Sequence, residues 1–172
     1  FVAFALATLF NQRAIYTRML GTMMLGLLTF SGTLDVVRAL SPAENTTLYS
    51  EADLEVADLI RELTPPRARI LHAPIHNSVV ALTGRQSVMG YPGHLWTHGI
   101  SYNQRENEVR TIYRGGAESA RPLVALGIDY VVIGPAERYA DSSGEMTVAE
   151  NYFAESFPVV IDHAGYKVYR VK

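Results

Sequence analysis

Apolar positions fill the first forty residues almost without a break, and beyond them they fall into short, regularly spaced groups. The run "FVAFALATLF" carries no charge, and "NQRAIYTR" at 11–18 brings two arginines and no acid. "MLGTMMLGLLTFSGTL" at 19–34 is uncharged again. Those sixteen residues span roughly 24 Å as a helix, short of the ~30 Å hydrocarbon core of a bilayer. Continuing through "DVVRAL" to Leu40 supplies the missing length, and Asp35 and Arg38, three apart, can pair on one helix face. Gly21, Gly26 and Gly32, with Thr22, Thr29 and Ser31, suit close packing between membrane helices. The pattern over 1–40 therefore predicts the end of one transmembrane helix, a short loop and one complete transmembrane helix. A buried hairpin of a soluble bundle is the alternative. A cleaved signal peptide fits less well, because the basic residues lie between two apolar runs.

Residues 41–49, "SPAENTTLY", read as a polar linker. Ser50 then opens a helix, with Asp53 completing an approximate capping box. Leu54, Ala57, Leu59, Ile60 and Leu63 recur at helical spacing until "TPP" at 64–66 stops the helix. "ARILHAP" predicts a short buried strand ended by Pro74, and "RQSVMGY" a second strand. Between them "SVVAL" fits either a strand or one helical turn after Asn77. "SYNQRENEVRTIYRGG" predicts a polar helix with Val109, Ile112 and Tyr113 inward, closed by Gly115 and Gly116. "ESARPLVALGI" predicts another helix, ended by Gly127. "DYVVIGP" is the clearest strand, apolar through its middle as a strand covered on both faces is. "TVAENYFAESF" predicts a helix and "PVVIDHAGYKVYRV" a hairpin. The alternation of Tyr166 and Val168 against Lys167 and Tyr169 suits a terminal strand with one wet face. The order of elements predicts a small three-layer α/β domain over 50–172, with a partly parallel sheet and a C-terminal hairpin.

Charge orients this picture. Arg13 and Arg18 in the short loop stay cytoplasmic by the positive-inside rule. The complete helix then runs outward, and the α/β domain of an integral plasma-membrane protein is extracytoplasmic. Asn45-Thr46-Thr47 forms a glycosylation sequon just past the exit point, meaningful only in a host that uses one. The chain starts at Phe1 inside an apolar run and reads as a piece of a longer polypeptide. Its expected partners are the bilayer and the remaining transmembrane helices of that parent chain. A net charge of -2 leaves no basic footprint for nucleic acid. The lack of cysteine removes disulfides, thiol nucleophiles and thiolate metal sites together.

In open parallel sheets ligands sit beyond the carboxyl ends of the strands. The segments leaving the three predicted strands are "HAPIHN", "GYPGHLW" and "GPAER". Parallel neighbours would bring His72, His76, Asn77, Tyr91, His94, Trp96, Glu137 and Arg138 to one edge. The stretch "GYPGHLWTHG" at 90–99 stands out because it holds the only tryptophan and two of the five histidines. Three readings stay open. As a sugar site, Trp96 and Tyr91 offer flat stacking surfaces and Asn77, Arg85 and Glu137 hydrogen bonds. His76, His94 and Arg138 complete that substrate-binding set. As a metal site, His94 with His98 and His72 with His76 have the spacing of one helix face, but Pro92 and the glycines argue against a regular helix and HExxH is missing. As plain architecture, Gly90 and Gly93 supply turns, Trp96 fills the gap between sheet and helix, and the histidines bond backbone. Glu137 is equally double, a general acid or base or a local cap paired with Arg138. No nucleophile elbow, P-loop or dinucleotide fingerprint is present. No cofactor, metal or catalytic residue is expected in this segment.

After the apolar helices come "EADLEVADLIRELTPPRARIL", then "GRQSVMGYPGHLW", "GIDYVVIGPAER" and "FPVVIDHAGYKVYRV". In that arrangement, from about Met19 to Lys172, the chain resembles the C-terminal region of polytopic GT-C-type membrane glycosyltransferases and related uncharacterised bacterial membrane proteins. The resemblance implies sugar transfer from a lipid-phosphate donor at the extracytoplasmic face, with a lipid-linked sugar as partner. It also implies that this segment serves recognition or structure, since the catalytic acid of such enzymes lies in their first extracytoplasmic loop. Oligosaccharyltransferase relatives carry a Trp-Trp-Asp-Tyr-Gly motif, which "GYPGHLW" matches in composition only, and no residue role is carried over. The alternative is a membrane-tethered structural or interaction domain of a non-enzymatic membrane protein.

Overall fold

The computed structural model describes residues 2–41 and 47–172. Most of the linker, with Asn45 and Thr46 of the sequon, lies outside the described residues. The chain divides into two compact units, Phe1–Thr47 and Leu48–Lys172.

The first unit holds helices α1 (Val2–Asn11) and α2 (Ile15–Ala39). Only α2 among the described residues is long and apolar enough to cross a membrane, with 25 residues and a mean hydropathy of 1.5. By length and composition it is compatible with a membrane anchor. Its threonines hide their polarity: Thr22, Thr29 and Thr33 each donate to the carbonyl four residues earlier. Gly21 is the buried residue of α2, and a Cβ there would stand 3.4 Å from Leu9 and Phe10.

The second unit is mixed α/β. Helix α3 (Glu51–Leu63) begins at a full capping box, in which Asp53 N–H donates to Ser50 Oγ at 3.2 Å and Ser50 N–H to Asp53 Oδ2 at 2.8 Å. Its buried face is Val56, Ala57 and Ile60. Leu54 and Leu63, expected inward, are about half exposed. At 100° per residue Leu54 lies roughly 120° around the helix from Ile60, which explains its exclusion. Strand β1 (Arg69–Leu71) follows, then a 3₁₀ turn (Val79–Leu82) and the two-residue strand β2 (Gln86–Ser87). "SVVAL" is therefore the helical turn of its two readings. Next come α4 (Pro92–Thr97), α5 (Asn103–Arg114), α6 (Ala117–Ala125) and β3 (Tyr130–Ile133). The unit closes with α7 (Pro135–Ser142), α8 (Glu150–Ser156), β4 (Val159–His163) and β5 (Tyr166–Arg170).

The short helices α4 and α7 were not expected from the sequence. Both open with proline in the first turn, where the missing N–H is no loss and the fixed φ favours the helix. The prolines that seemed to forbid helix in fact start it.

The five strands form one mixed sheet in the order β2-β1-β3-β5-β4. β2, β1 and β3 run parallel, while β5 is antiparallel to both β3 and β4. Side-chain alternation sends Leu71, Val131, Ile133 and Tyr169 into one apolar cluster with Val109, Ile112, Tyr113, Leu123 and Phe153. Ile70, Tyr130, Val132 and Val168 join a second cluster with Val56, Ile60, Val79 and Val80. Of the wet face expected for the last strand, Lys167 is partly exposed but Tyr169 is fully buried. β5 lies inside the sheet, so both its edges are paired, and Tyr169 packs into the first cluster while Tyr166 and Val168 pack into the second. The hairpin turn places Ala164 and Gly165 at φ +49° and +80°, the left-handed pair that a two-residue turn between twisted strands requires.

Candidate functional site

The connections leaving β1 and β2 pack on different sides of the sheet. Val79 and Val80, after β1, join the cluster of α3, whereas α5 and α6, after β2, join the other. Such a divergence opens a crevice at the carboxyl edge of parallel strands. Here a cleft of about 270 Å³ is lined by Ala73, Pro74 and Ile75 after β1, Tyr91 and Pro92 after β2, and Ala140 and Met146 on the far side. It falls just below the ~300–1,000 Å³ typical of ligand sites.

One wall is aromatic. The rings of His76, Tyr91 and His94 lie 4.8–5.5 Å apart, with His94 edge-on to both neighbours. The His76 ring is fixed by a 2.8 Å contact of Nδ1 with Asn77 Oδ1. Gly93 makes room for the Tyr91 ring, which a Cβ at that position would strike. The opposite wall belongs to α5, where Glu106 and Arg110, one turn apart, pair at 2.7 Å above buried Val109. Arg110 also donates to the carbonyl of Glu145. The sequence reading missed Glu106, Arg110 and Glu145. Their signal was available, because Glu106, Val109 and Arg110 share a face at i, i+3, i+4 spacing.

Beneath the cleft Glu137 is 3% exposed. Its Oε1 accepts from Ala73 N–H at 2.7 Å and its Oε2 from Gly134 N–H at 2.8 Å, so one carboxyl group ties the exits of β1 and β3 together. Burial raises its pKa above the ordinary carboxylate value, against the lowering effect of the backbone donors. Tyr113, also buried, donates to Val132 O at 2.9 Å, and burial together with nearby Glu137 raises the phenol. Of its two sequence readings, Glu137 matches the local cap; its partner, however, is not Arg138.

Arg138 faces elsewhere. Its guanidinium meets Glu150 in a fork at 2.9 and 3.0 Å and donates to Gly165 O, joining α7, α8 and the hairpin turn. The Arg138 bonds hold the Glu150 carboxyl below its usual pKa. Arg85 is likewise consumed: it donates to Arg61 O at 2.6 Å and to Thr64 O at 2.7 Å, capping the last turn of α3 away from the cleft. His72 is buried under the sheet edge and bonds Ser87 and Ala73.

Trp96 does not fill the gap between sheet and helix. It is 72% exposed, and Leu95 beside it packs on the core instead. The stretch "GYPGHLWTHG" is a helix closed by a Schellman motif. Gly99, at φ +68°, donates to Trp96 O, and Ile100 N–H reaches Leu95 O at 2.9 Å. Tyr91 lines the cleft, exposed His94 touches the Tyr91 and His76 rings, and Trp96 stands in solvent. The eight expected site residues thus separate into His76, Asn77, Tyr91 and His94 together, Glu137 buried beneath, and Arg85, Trp96 and Arg138 apart. The chain matches no protein-family model and no curated protein.

Proposed function

We propose that the chain is the C-terminal part of an integral membrane glycosyltransferase using a lipid-phosphate-linked sugar, and that the unit Leu48–Lys172 recognises sugar without performing the chemistry. The cleft carries this reading: it is lined by the aromatic rings of His76 and Tyr91, with His94 in ring contact with both, and by the planar polar pair Glu106–Arg110 over an apolar floor. Sugars expose an apolar C–H face and a rim of hydroxyls, and such walls serve the two surfaces separately. The two apolar clusters on opposite sides of the sheet support a three-layer arrangement around it. A membrane-spanning α2 is supported by its length and by its being only 6% buried. Arg13 in the short loop and Arg18 in the first turn of α2 support an orientation with the second unit outside the cytoplasm.

In calorimetric titration of the full chain in detergent with a panel of monosaccharides, one sugar class is expected to bind saturably. Tyr91→Ala should weaken that binding roughly tenfold, a loss of about 1.4 kcal/mol, while Trp96→Ala leaves it unchanged. Failure of every sugar to bind folded protein rejects the recognition role. For sidedness, an impermeant thiol reagent is expected to label a Thr147→Cys variant in intact cells; labelling only after lysis reverses the orientation. The exposed pair Trp96 and Ile100, 72% and 53% accessible, favours a second reading in which this unit is an interaction domain of a membrane protein without transferase activity.

A further inference from the structure

We propose that Ser87 and His72 form a nucleophile–base dyad able to accept acyl groups from carboxylic esters. The proposal is independent of the sugar reading and concerns residues that do not line the cleft.

The two residues are fifteen apart in sequence, and the parallel pairing of β1 with β2 brings them together. His72 Nδ1 lies 2.6 Å from the carbonyl oxygen of Ala73. A carbonyl only accepts, so Nδ1 carries the ring proton. In the neutral ring Nε2 is then a lone pair, and it faces Ser87 Oγ at 2.6 Å. The hydroxyl therefore has within reach a base whose tautomer is fixed from behind, the arrangement that nucleophilic catalysis requires. Burial depresses the pKa of His72, against the opposing Ala73 bond, and keeps the ring in its neutral, proton-accepting form.

The surroundings hold this geometry. Ala73 O also accepts from Ile75 N–H at 2.8 Å, and Ala73 N–H is bound by Glu137 at 2.7 Å. Glu137 is thus a positioning residue for the segment that orients His72. On the other side Met89 O accepts from Ser87 Oγ at 2.9 Å and competes with His72 Nε2, 2.6 Å away, for the one hydroxyl hydrogen, so the reactive arrangement is the rotamer in which that hydrogen turns to the ring. Access is open, because Ser87 is exposed and β2 is an edge strand of the sheet.

The step runs as acyl transfer. Ser87 Oγ attacks the ester carbonyl carbon while its proton passes to His72 Nε2. The C–O bond to the leaving alcohol breaks as that proton moves to the departing oxygen, leaving acyl-Ser87. Water, deprotonated by His72, then releases the carboxylic acid and restores the hydroxyl.

The test uses the full chain in detergent with a fluorophosphonate probe, whose phosphorus–fluorine bond breaks as Ser87 Oγ bonds phosphorus and the proton goes to His72. Mass spectrometry is expected to place the adduct on Ser87. Ser87→Ala should abolish it and His72→Gln should slow it on the order of 100-fold. No adduct on Ser87 in folded protein, or an undiminished rate in folded His72→Gln, overturns the dyad. Because replacing buried His72 puts the fold at risk, a second measurement leaves it in place. In this cysteine-free chain a Ser87→Cys variant should be alkylated by iodoacetamide at neutral pH roughly tenfold faster than Thr147→Cys. Equal rates overturn the proposal.

Discussion

Glu137→Ala is expected to lower the stability of the α/β unit by roughly 3 kcal/mol, read as a fall in the urea midpoint with an unchanged slope. The substitution strands the N–H groups of Ala73 and Gly134, both of which the carboxylate now satisfies. It also leaves a void where α7 begins. Glu137→Gln tests the charge separately. An amide retains one acceptor oxygen but turns an NH₂ toward the second donor, so part of the loss remains. Because the folded-state pKa of Glu137 is raised, its contribution is fully present below the ordinary carboxylate pKa and is lost as pH rises through the raised value. Glu137→Gln should flatten that slope. Asp53 contributes with the opposite sign. Burial works against its ionisation, but the bonds from Tyr166 and Ser50 win and hold its pKa down. Its contribution is present above the unfolded value and lost as pH falls through the folded one. A loss under about 1 kcal/mol for Glu137→Ala would mean that water replaces the carboxylate and that the two strand exits do not depend on it.

Phe153→Ala should cost about 3–5 kcal/mol by the same measurement, the largest effect of any single truncation considered. Phe153 is fully buried, and four aromatic rings surround it: Tyr152 at 5.3 Å, Tyr169 at 6.0 Å, Phe157 at 6.1 Å and Tyr113 at 6.2 Å between centroids. Rings packed around one another, Tyr152 edge-on and the others tilted, cannot all collapse into the space that one of them leaves. Tyr113 is one of the walls, so the effect spreads to its bond with Val132 O. A loss near 1 kcal/mol would show instead that the neighbours refill the site.

Periodicity made the larger elements legible. The capping box at Ser50, the inward trio Val109, Ile112 and Tyr113, and the apolar strand 130–133 all stand in the structure as the pattern predicts. Two kinds of feature escaped it. The helices α4 and α7 open with proline, next to glycine, and so read as loops leaving the strands, whereas α8, of similar length but without proline, was legible. The neighbours of the last strand depend on tertiary pairing, which no local pattern records, so Tyr169 was assigned to water and is buried. The candidate site was half legible. The rule of strand carboxyl edges gathered His76, Tyr91 and His94 correctly in space, because it follows from topology. The fates of Arg85 and Arg138 followed from carbonyls and a carboxylate far away in sequence. Trp96 was misplaced because a one-residue step around a short helix separates the partly buried Leu95, which packs on the core, from open solvent.

The placement of β5 has a consequence for synthesis. Strand β3 pairs through Tyr130–Ile133 with a partner at Lys167–Arg170, so its neighbour is made some 34 residues after it. While the intervening segment is being produced, β3 presents a bare hydrogen-bonding edge of four apolar residues. The β3–β5 ladder cannot form until the second strand of the hairpin has been made. A nascent chain halted before Tyr166 holds its helices but carries an open flank, the state in which binding by a chaperone or pairing with another copy competes with folding.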